Sequence, residues 1–480
     1  MNNINISMLM DFYELTMSNG YFINNKQNEL AAFDLFYRNN PDGAAYSIFT
    51  GLDEIIEYIN NLKFTESDIN YLRSLNMFDE GFLNYLANFK FTGDIYCFRD
   101  GSIIYPYEPI LTVVAPLIDA QLVETASLLI VNHESLIATK TNRIVLSAKG
   151  RGVSDFGARR AHNSASAIYG AKASYIGGAN STATTIAGKM FNIPVSGTMA
   201  HSWVMSFDSE YDAFLQYAKV YPKATVLLID TYDVLRSGIV NAIKVAKDYL
   251  IPHGYRLAGV RLDSGDLAYL SKKCREILDE NGLEDCKIVV SNSLDEFKIT
   301  SLLEQGAKID SFGVGENLIT AKSNPVFGGV YKLAAIEKNG VLEPRIKISE
   351  TVEKITNPGL KSVYRVYNSD NKAIADLLTL STEEPDFTKP YPFVDPNKPW
   401  KELSFENCHI KNMRVKLYDK GKQVYENLPI DEVRNFVRDQ VENQLWEEER
   451  RFTLPHIHYL DFSKDFYELK MRLLREHKAE

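Results

Sequence analysis

The chain has 480 residues, enough for two or three domains, and its 45% apolar and 24% charged residues are the composition of a folded globular protein. A formal net charge of −10 argues against general affinity for nucleic acid, and no run approaches the roughly 20 uncharged apolar residues that span a bilayer. The start, Met1-Asn2-Asn3-Ile4-Asn5, lacks the basic and apolar regions of a secretory signal, and Cys97, Cys274, Cys286 and Cys408 stand apart without metal-ligand spacing. We therefore expect a soluble cytoplasmic protein with reduced thiols.

In chain order, residues 30–38 read as a strand and 52–62 as an amphipathic helix. Residues 91–115 carry short strands separated by turns at Arg99-Asp100-Gly101 and Tyr107-Glu108-Pro109, and 119–148 form one or two long helices. From Gly152 to Leu333 a different rhythm sets in. Short apolar runs such as Thr225-Val226-Leu227-Leu228-Ile229 and Lys287-Ile288-Val289-Val290 stop abruptly in charged, hydroxyl or glycine residues, and a helical stretch follows each. Such runs suit strands buried on both faces, and spacings of roughly 20 to 30 residues leave room for a crossover helix. Seven or eight such units predict a β/α barrel with its chemistry at the strand carboxyl ends. Past Tyr331, strands are expected over 330–336, 345–349 and 361–367, then an ordered proline-rich loop over 385–399 and a charged, solvated helix over 431–451. The fold class is thus α/β: an α+β domain over 1–125, the barrel over 126–335 and a C-terminal extension over 336–480.

The stops hold the candidate chemistry. Arg261 and Asp263 in Leu257-Ala258-Gly259-Val260-Arg261-Leu262-Asp263-Ser264-Gly265-Asp266 are two apart on a strand, so they face the same way. Burying unpaired charge is costly, so the two must pair with each other, with a metal or with a substrate. Asp266 is a candidate site residue or merely a helix cap. Asp230 ends the neighbouring run and could share a hydrated Mg²⁺ with Asp263; helix-start roles for Asp230 and Asp233 are the alternative. Gly313-Val314-Gly315 and Ser291-Asn292-Ser293 offer backbone N–H groups and hydroxyls for a phosphate, although neither a dinucleotide fingerprint nor a Walker A sequence is present. His201, just beyond Pro194-Val195-Ser196-Gly197-Thr198, is placed to be a base or a phosphoryl-accepting nucleophile. Phe156 and Arg159-Arg160 pair an aromatic ring with guanidinium groups that suit a flat anion.

The set Asp11-Phe12-Tyr13, Phe156-Gly157-Ala158-Arg159-Arg160, Gly197-Thr198-Met199-Ala200-His201-Ser202, Gly259-Val260-Arg261-Leu262-Asp263-Ser264-Gly265-Asp266 and Gly313-Val314-Gly315 resembles nicotinate phosphoribosyltransferase. The resemblance implies an irregular β/α barrel with an N-terminal open-sandwich domain, in a homodimer whose sites are shared between subunits. It also implies transfer of phosphoribosyl from phosphoribosyl diphosphate to nicotinate, with Mg²⁺ and ATP hydrolysis, as an entry to NAD. His201 would be phosphorylated by ATP. Arg261 and Thr198 would bind nicotinate, with Phe156 and the partner's Tyr13 stacking on its ring. Asp230 and Asp263 would lie by the ribose and Mg-diphosphate. Arg159, Ser291, Asn292, Gly313, Gly315, Glu316, Arg38, Lys332 and Lys347 would hold phosphates. Glu316 stands where some relatives have threonine, and its charge would repel a phosphate unless it points away or the donor there is the backbone alone. Asn180 occupies the place where nicotinamide-using relatives carry an aspartate, which favours the acid over the amide. The rivals are a nicotinamide or quinolinate phosphoribosyltransferase, a Mg-dependent phosphatase and a non-catalytic binding protein. An aldolase is disfavoured because no strand end supplies a lysine.

Overall fold

A computed structural model describes residues 5–400, 402–405 and 408–477. The chain divides into two compact units, 137–325 and 1–136 together with 326–480.

In the 137–325 unit, six parallel strands lie in the order Ser181–Thr182, Gly152–Asp155, Ser311–Val314, Lys287–Val290, Gly259–Leu262 and Val226–Leu228. Val153, Leu228, Val260, Leu262, Ile288, Val290, Phe312 and Val314 are buried at 0–1% exposure, as the apolar runs require. Crossover helices such as Leu267–Glu280 and Glu296–Glu304 follow the strands. The expected closed barrel is not found among the described residues. Its missing wall is the segment ending at Thr198, which forms one bridge, Thr182 to Val195, rather than a strand. Pro194 has no N–H to give a ladder and Gly197 no side chain to pack, so pairing stops after Ser196 N bonds Thr182 O at 3.0 Å. Gly238 allows the helical segment after Asp230 to press on the strand below. A β-carbon there would lie 1.8 Å from the carbonyl oxygen of Ile229.

The other unit holds two sheets. A seven-stranded antiparallel sheet runs Val341–Pro344, Val330–Lys338, Leu30–Phe36, Leu111–Pro116, Asp94–Phe98, Arg414–Asp419 and Lys422–Gln423. A six-stranded sheet is built around Lys361–Tyr367 and Ala373–Leu380. The strand expected over 345–349 does not form; Val341–Pro344 pairs instead, Arg345 N makes one further bond to Ala334 O at 2.8 Å, and Lys347 then bonds Thr356 rather than a strand. The expected solvated helix over 431–451 is also broken. Ile430–Asp439 runs into a π-helical turn, Gln440–Gln444, and then a 3₁₀ turn, Glu447–Arg450. It is anchored rather than solvated: Val433, Val437, Gln440 and Val441 are buried, and the Gln440 side chain accepts from Ile103 N and donates to Gly101 O. None of the four cysteines forms a disulfide, and among the described residues no helix is long and apolar enough to cross a membrane.

Candidate active site

Parallel pairing lines up Leu228 with Arg261, Arg261 with Val289 and Val289 with Ser311. The residues that follow each strand therefore emerge along one edge of the sheet, and Phe156, Asp230, Asp263, Ser291 and Gly315 are among them.

Arg261 is the hub. Its neighbours Val260 and Leu262 are buried on the opposite face, and its own side chain is held at both ends. Nε donates to Ser291 Oγ at 3.0 Å, Nη1 to Thr198 Oγ1 at 3.0 Å, and Nη2 reaches Asp263 Oδ1 at 3.4 Å. The guanidinium lies 5.5 Å from the centroid of the Phe156 ring. That ring in turn packs on Gly313, where a β-carbon would come within 2.5 Å of it. Phe156 is steadied by its predecessor. The Asp155 carboxylate accepts from Gly157 N at 2.8 Å and Thr182 Oγ1 at 2.7 Å, while burial raises its pKa.

The two candidate metal-binding acids are joined through the backbone. Asp263 N donates to Asp230 Oδ2 at 3.0 Å, and Ser264 Oγ donates to the same oxygen at 2.6 Å. Asp263 Oδ1 also accepts from Ser291 Oγ, so the Ser291 hydroxyl is engaged by Arg261 and Asp263 together. Asp263 Oδ2 lies 4.0 Å from His201 Nε2, and His201 Nδ1 meets Thr231 Oγ1 at 3.1 Å. Asp230 Oδ1 is buried without a hydrogen-bond partner. An orphan carboxylate oxygen beside a second acid suits a hard cation that takes its remaining ligands from water and phosphate. Among the described residues no group of three or more His, Cys, Asp or Glu is placed to hold a metal, so a cation here would lean on substrate oxygens.

The phosphate candidates are distributed. Gly315 caps the short helix Glu316–Ile319, and Asn292 and Ser293 both have positive φ, 98° and 49°, which strains the turn. Arg159 is exposed on the 3₁₀ turn Ala158–Arg160. Glu316 is turned to cations, with Lys322 at 2.5 Å and Arg160 at 3.8 Å. Asn180 is exposed, and its side-chain oxygen accepts from Val153 N at 2.9 Å. Asp266 and Asp233 do act as helix caps, accepting from Tyr269 N at 3.0 Å and from Leu235 N and Arg236 N at 3.0 and 2.8 Å.

Tyr13, Arg38, Lys332 and Lys347 belong to the other unit. Three of them form a cationic group there. Burial lowers the pKa of Lys332, and the charges of Lys347 and Arg38 add to that against the pull of Glu124. Tyr13 is exposed on the helix Phe12–Ile23 and bonded to Glu124. Asp155, Thr231 and Ser264 were not singled out from sequence. All three lie at strand stops, and only the hydrogen bonds distinguish them from the other hydroxyl and acidic residues there.

Models of nicotinate phosphoribosyltransferase match the chain in three parts: its N-terminal domain at residues 8–132, the family model at 152–370 and its C-terminal domain at 360–470. Nicotinate phosphoribosyltransferase of Bacillus subtilis (strain 168) is 42% identical over 477 residues, 99% of this chain and 96% of that protein. The protein of the same name from Caenorhabditis elegans is 34% identical, over 96% of this chain and 92% of its own. The crystal structure of human nicotinic acid phosphoribosyltransferase matches with a TM-score of 0.85 at 27% identity, covering 97% of this chain and 100% of that one.

Proposed function

This chain belongs to the nicotinate phosphoribosyltransferase family, and from that premise we propose that it joins nicotinate to phosphoribosyl diphosphate with ATP hydrolysis through a phosphorylated His201. It is an enzyme of NAD biosynthesis. The observation that carries the finer reading is the connected set Arg261, Thr198, Asp263, Asp230 and His201 at one edge of the parallel sheet.

The pyridine nitrogen of nicotinate attacks the anomeric carbon, the carbon–oxygen bond to diphosphate breaks, and pyrophosphate leaves. Arg261 and Thr198 would hold the nicotinate carboxylate, a flat anion matched to a guanidinium fork. Phe156 would support one ring face and Tyr13 of the partner subunit the other, in a homodimer. Orientation of a weak nucleophile and stabilisation of the departing charge then do the chemical work. Asp230 and Asp263 would hold Mg²⁺, which when bound neutralises the leaving diphosphate. Arg159 and the strand-end groups at Ser291, Asn292, Gly313 and Gly315 are the candidates for the donor phosphates. Arg38, Lys332 and Lys347 form a separate basic group suited to a further phosphate. The Glu316 carboxylate has cations of its own, which supports a backbone contact rather than a side-chain one at that position.

His201 would take the terminal phosphoryl group of ATP, ADP would leave, and water would later release orthophosphate. The nicotinamide alternative is not favoured, because Asn180 brings no carboxylate to accept from an amide.

The test is incubation with nicotinate, phosphoribosyl diphosphate, Mg²⁺ and ATP, with nicotinamide in parallel and His201→Asn as the variant. We expect nicotinate mononucleotide from nicotinate alone, with ATP hydrolysis lost in the variant while slow, ATP-independent synthesis persists. Undiminished ATP stimulation in His201→Asn removes the phosphohistidine from the mechanism.

A further inference from the structure

We infer that Thr231 is the positioning residue for His201, its hydroxyl holding the imidazole in the plane from which the ring accepts a phosphoryl group; the inference rests on the phosphohistidine reading above. His201 opens a helix of only five residues, His201–Met205, and its side chain is 41% exposed. Little packing restrains the ring. Its recorded partners are Thr231 Oγ1 at 3.1 Å from Nδ1 and Asp263 Oδ2 at 4.0 Å from Nε2. The second is too long for a hydrogen bond, so orientation falls to the first.

Thr231 is itself fixed. It follows Asp230, whose carboxylate is held by Asp263 N and Ser264 Oγ. One residue further back, Ile229 N bonds Arg261 O at 3.1 Å, and Gly238 presses on the Ile229 carbonyl. A β-branched side chain on so constrained a backbone has few χ1 choices. The hydroxyl is therefore delivered to one point in space, tied to the same two acids that face the donor.

The choice of a hydroxyl has a chemical consequence. A threonine hydroxyl either donates to a bare Nδ1 or accepts from Nδ1–H, so it can orient the ring in either tautomer. In the step it supports, an unprotonated ring nitrogen bonds to the terminal phosphorus of ATP, the bond to the bridging oxygen breaks, and ADP departs with the electron pair. Water later adds to phosphorus, the nitrogen–phosphorus bond breaks and orthophosphate is released.

The experiment follows transfer of the labelled terminal phosphoryl of ATP to the enzyme, comparing wild type with Thr231→Val and Thr231→Ser. Loss of one neutral hydrogen bond should slow labelling about tenfold in the valine variant. The serine variant should return to within about threefold of wild type, and the KM for nicotinate should move less than about twofold in either. Equal labelling of the valine and wild-type enzymes overturns the inference, as does a serine variant impaired as deeply as valine, which would assign the residue to packing. A rise in the nicotinate KM matching the fall in rate also overturns it, making Thr231 a substrate contact. If the wild-type enzyme makes product with no acid-labile label, the phosphohistidine reading fails and this inference fails with it.

Discussion

Arg365, Asp376 and His458 bring together, in the 1–136 and 326–480 unit, the same residue types that Arg261, Asp263 and His201 supply at the rim of the parallel sheet. Their surroundings differ in every respect that matters. Arg365 grips Asp376 with two forked bonds, Nε to Oδ1 at 2.8 Å and Nη2 to Oδ2 at 2.7 Å, and its Nη1 donates to Ile103 O at 3.1 Å. His458 stacks on Tyr105 with centroids 3.8 Å apart and lies 3.2 Å from Asp376 and 3.4 Å from Glu449. Those three side chains are 2%, 0% and 2% exposed; Arg261, Asp263 and His201 are 11%, 31% and 41% exposed. At the rim, the arginine–aspartate contact is a single 3.4 Å approach and the histidine stands off at 4.0 Å. One set has spent its hydrogen-bonding capacity on itself and serves cohesion. The other leaves a face of each group open, and an open charged face is what a substrate anion or a cation needs.

The contrast can be broken from either side. Asp376→Asn should have the largest effect, a loss of about 3–5 kcal/mol in unfolding free energy, because it strands a buried guanidinium. Denaturant melts give that number, and turnover per folded molecule should stay at the wild-type level. A variant as stable as wild type would show that the buried cluster contributes no net cohesion. Arg261→Ala should do the reverse, with kcat/KM down by about 100- to 1000-fold and a melting temperature close to wild type. Unfolding of that variant would mean that the rim arginine is structural too.

The smallest effect sharpens the comparison through pH. Burial opposes charge on His458, but Asp376 and then Glu449 outweigh it and hold its pKa above the ordinary 6.5. Arg365, Tyr105, Glu108 and Tyr367 also face the cluster. Burial and the neighbouring Asp376 keep Glu108 protonated well above the usual carboxylate range. A raised histidine pKa stabilises the fold fully below about 6.5 and loses that stabilisation as pH rises through the folded-state value. The melting temperature should therefore fall above pH 6.5 in the wild type and fall less in His458→Gln. Parallel curves would show that His458 does not titrate with unfolding.

The strand stops were legible because buried parallel strands leave apolar runs that end where solvent begins. Thus the positions of Asp230, Arg261, Asp263 and Ser291 at carboxyl ends followed from local pattern, and the opposed facing of Arg261 and its neighbours from alternation. The wall missing from the barrel did not follow. Val195 is apolar and flanked like a strand residue, and only the failure of the ladder to continue past Ser196 shows otherwise. The helix over 431–451 misled for a related reason. Its charge suggested a solvated face, whereas Val433 and Val437 lie against Gly101 and Gln440 bonds Gly101 and Ile103, more than 300 positions earlier.

Sequence alone determined which chemical groups this protein possesses and that several of them stand at the ends of buried strands, since both are written in residue type and short-range period. Tertiary structure decided which arginine, aspartate and histidine remain open to solvent and which are sealed. Burial depends on segments distant in the chain, and Arg261 and Arg365 are alike until those segments close over one of them.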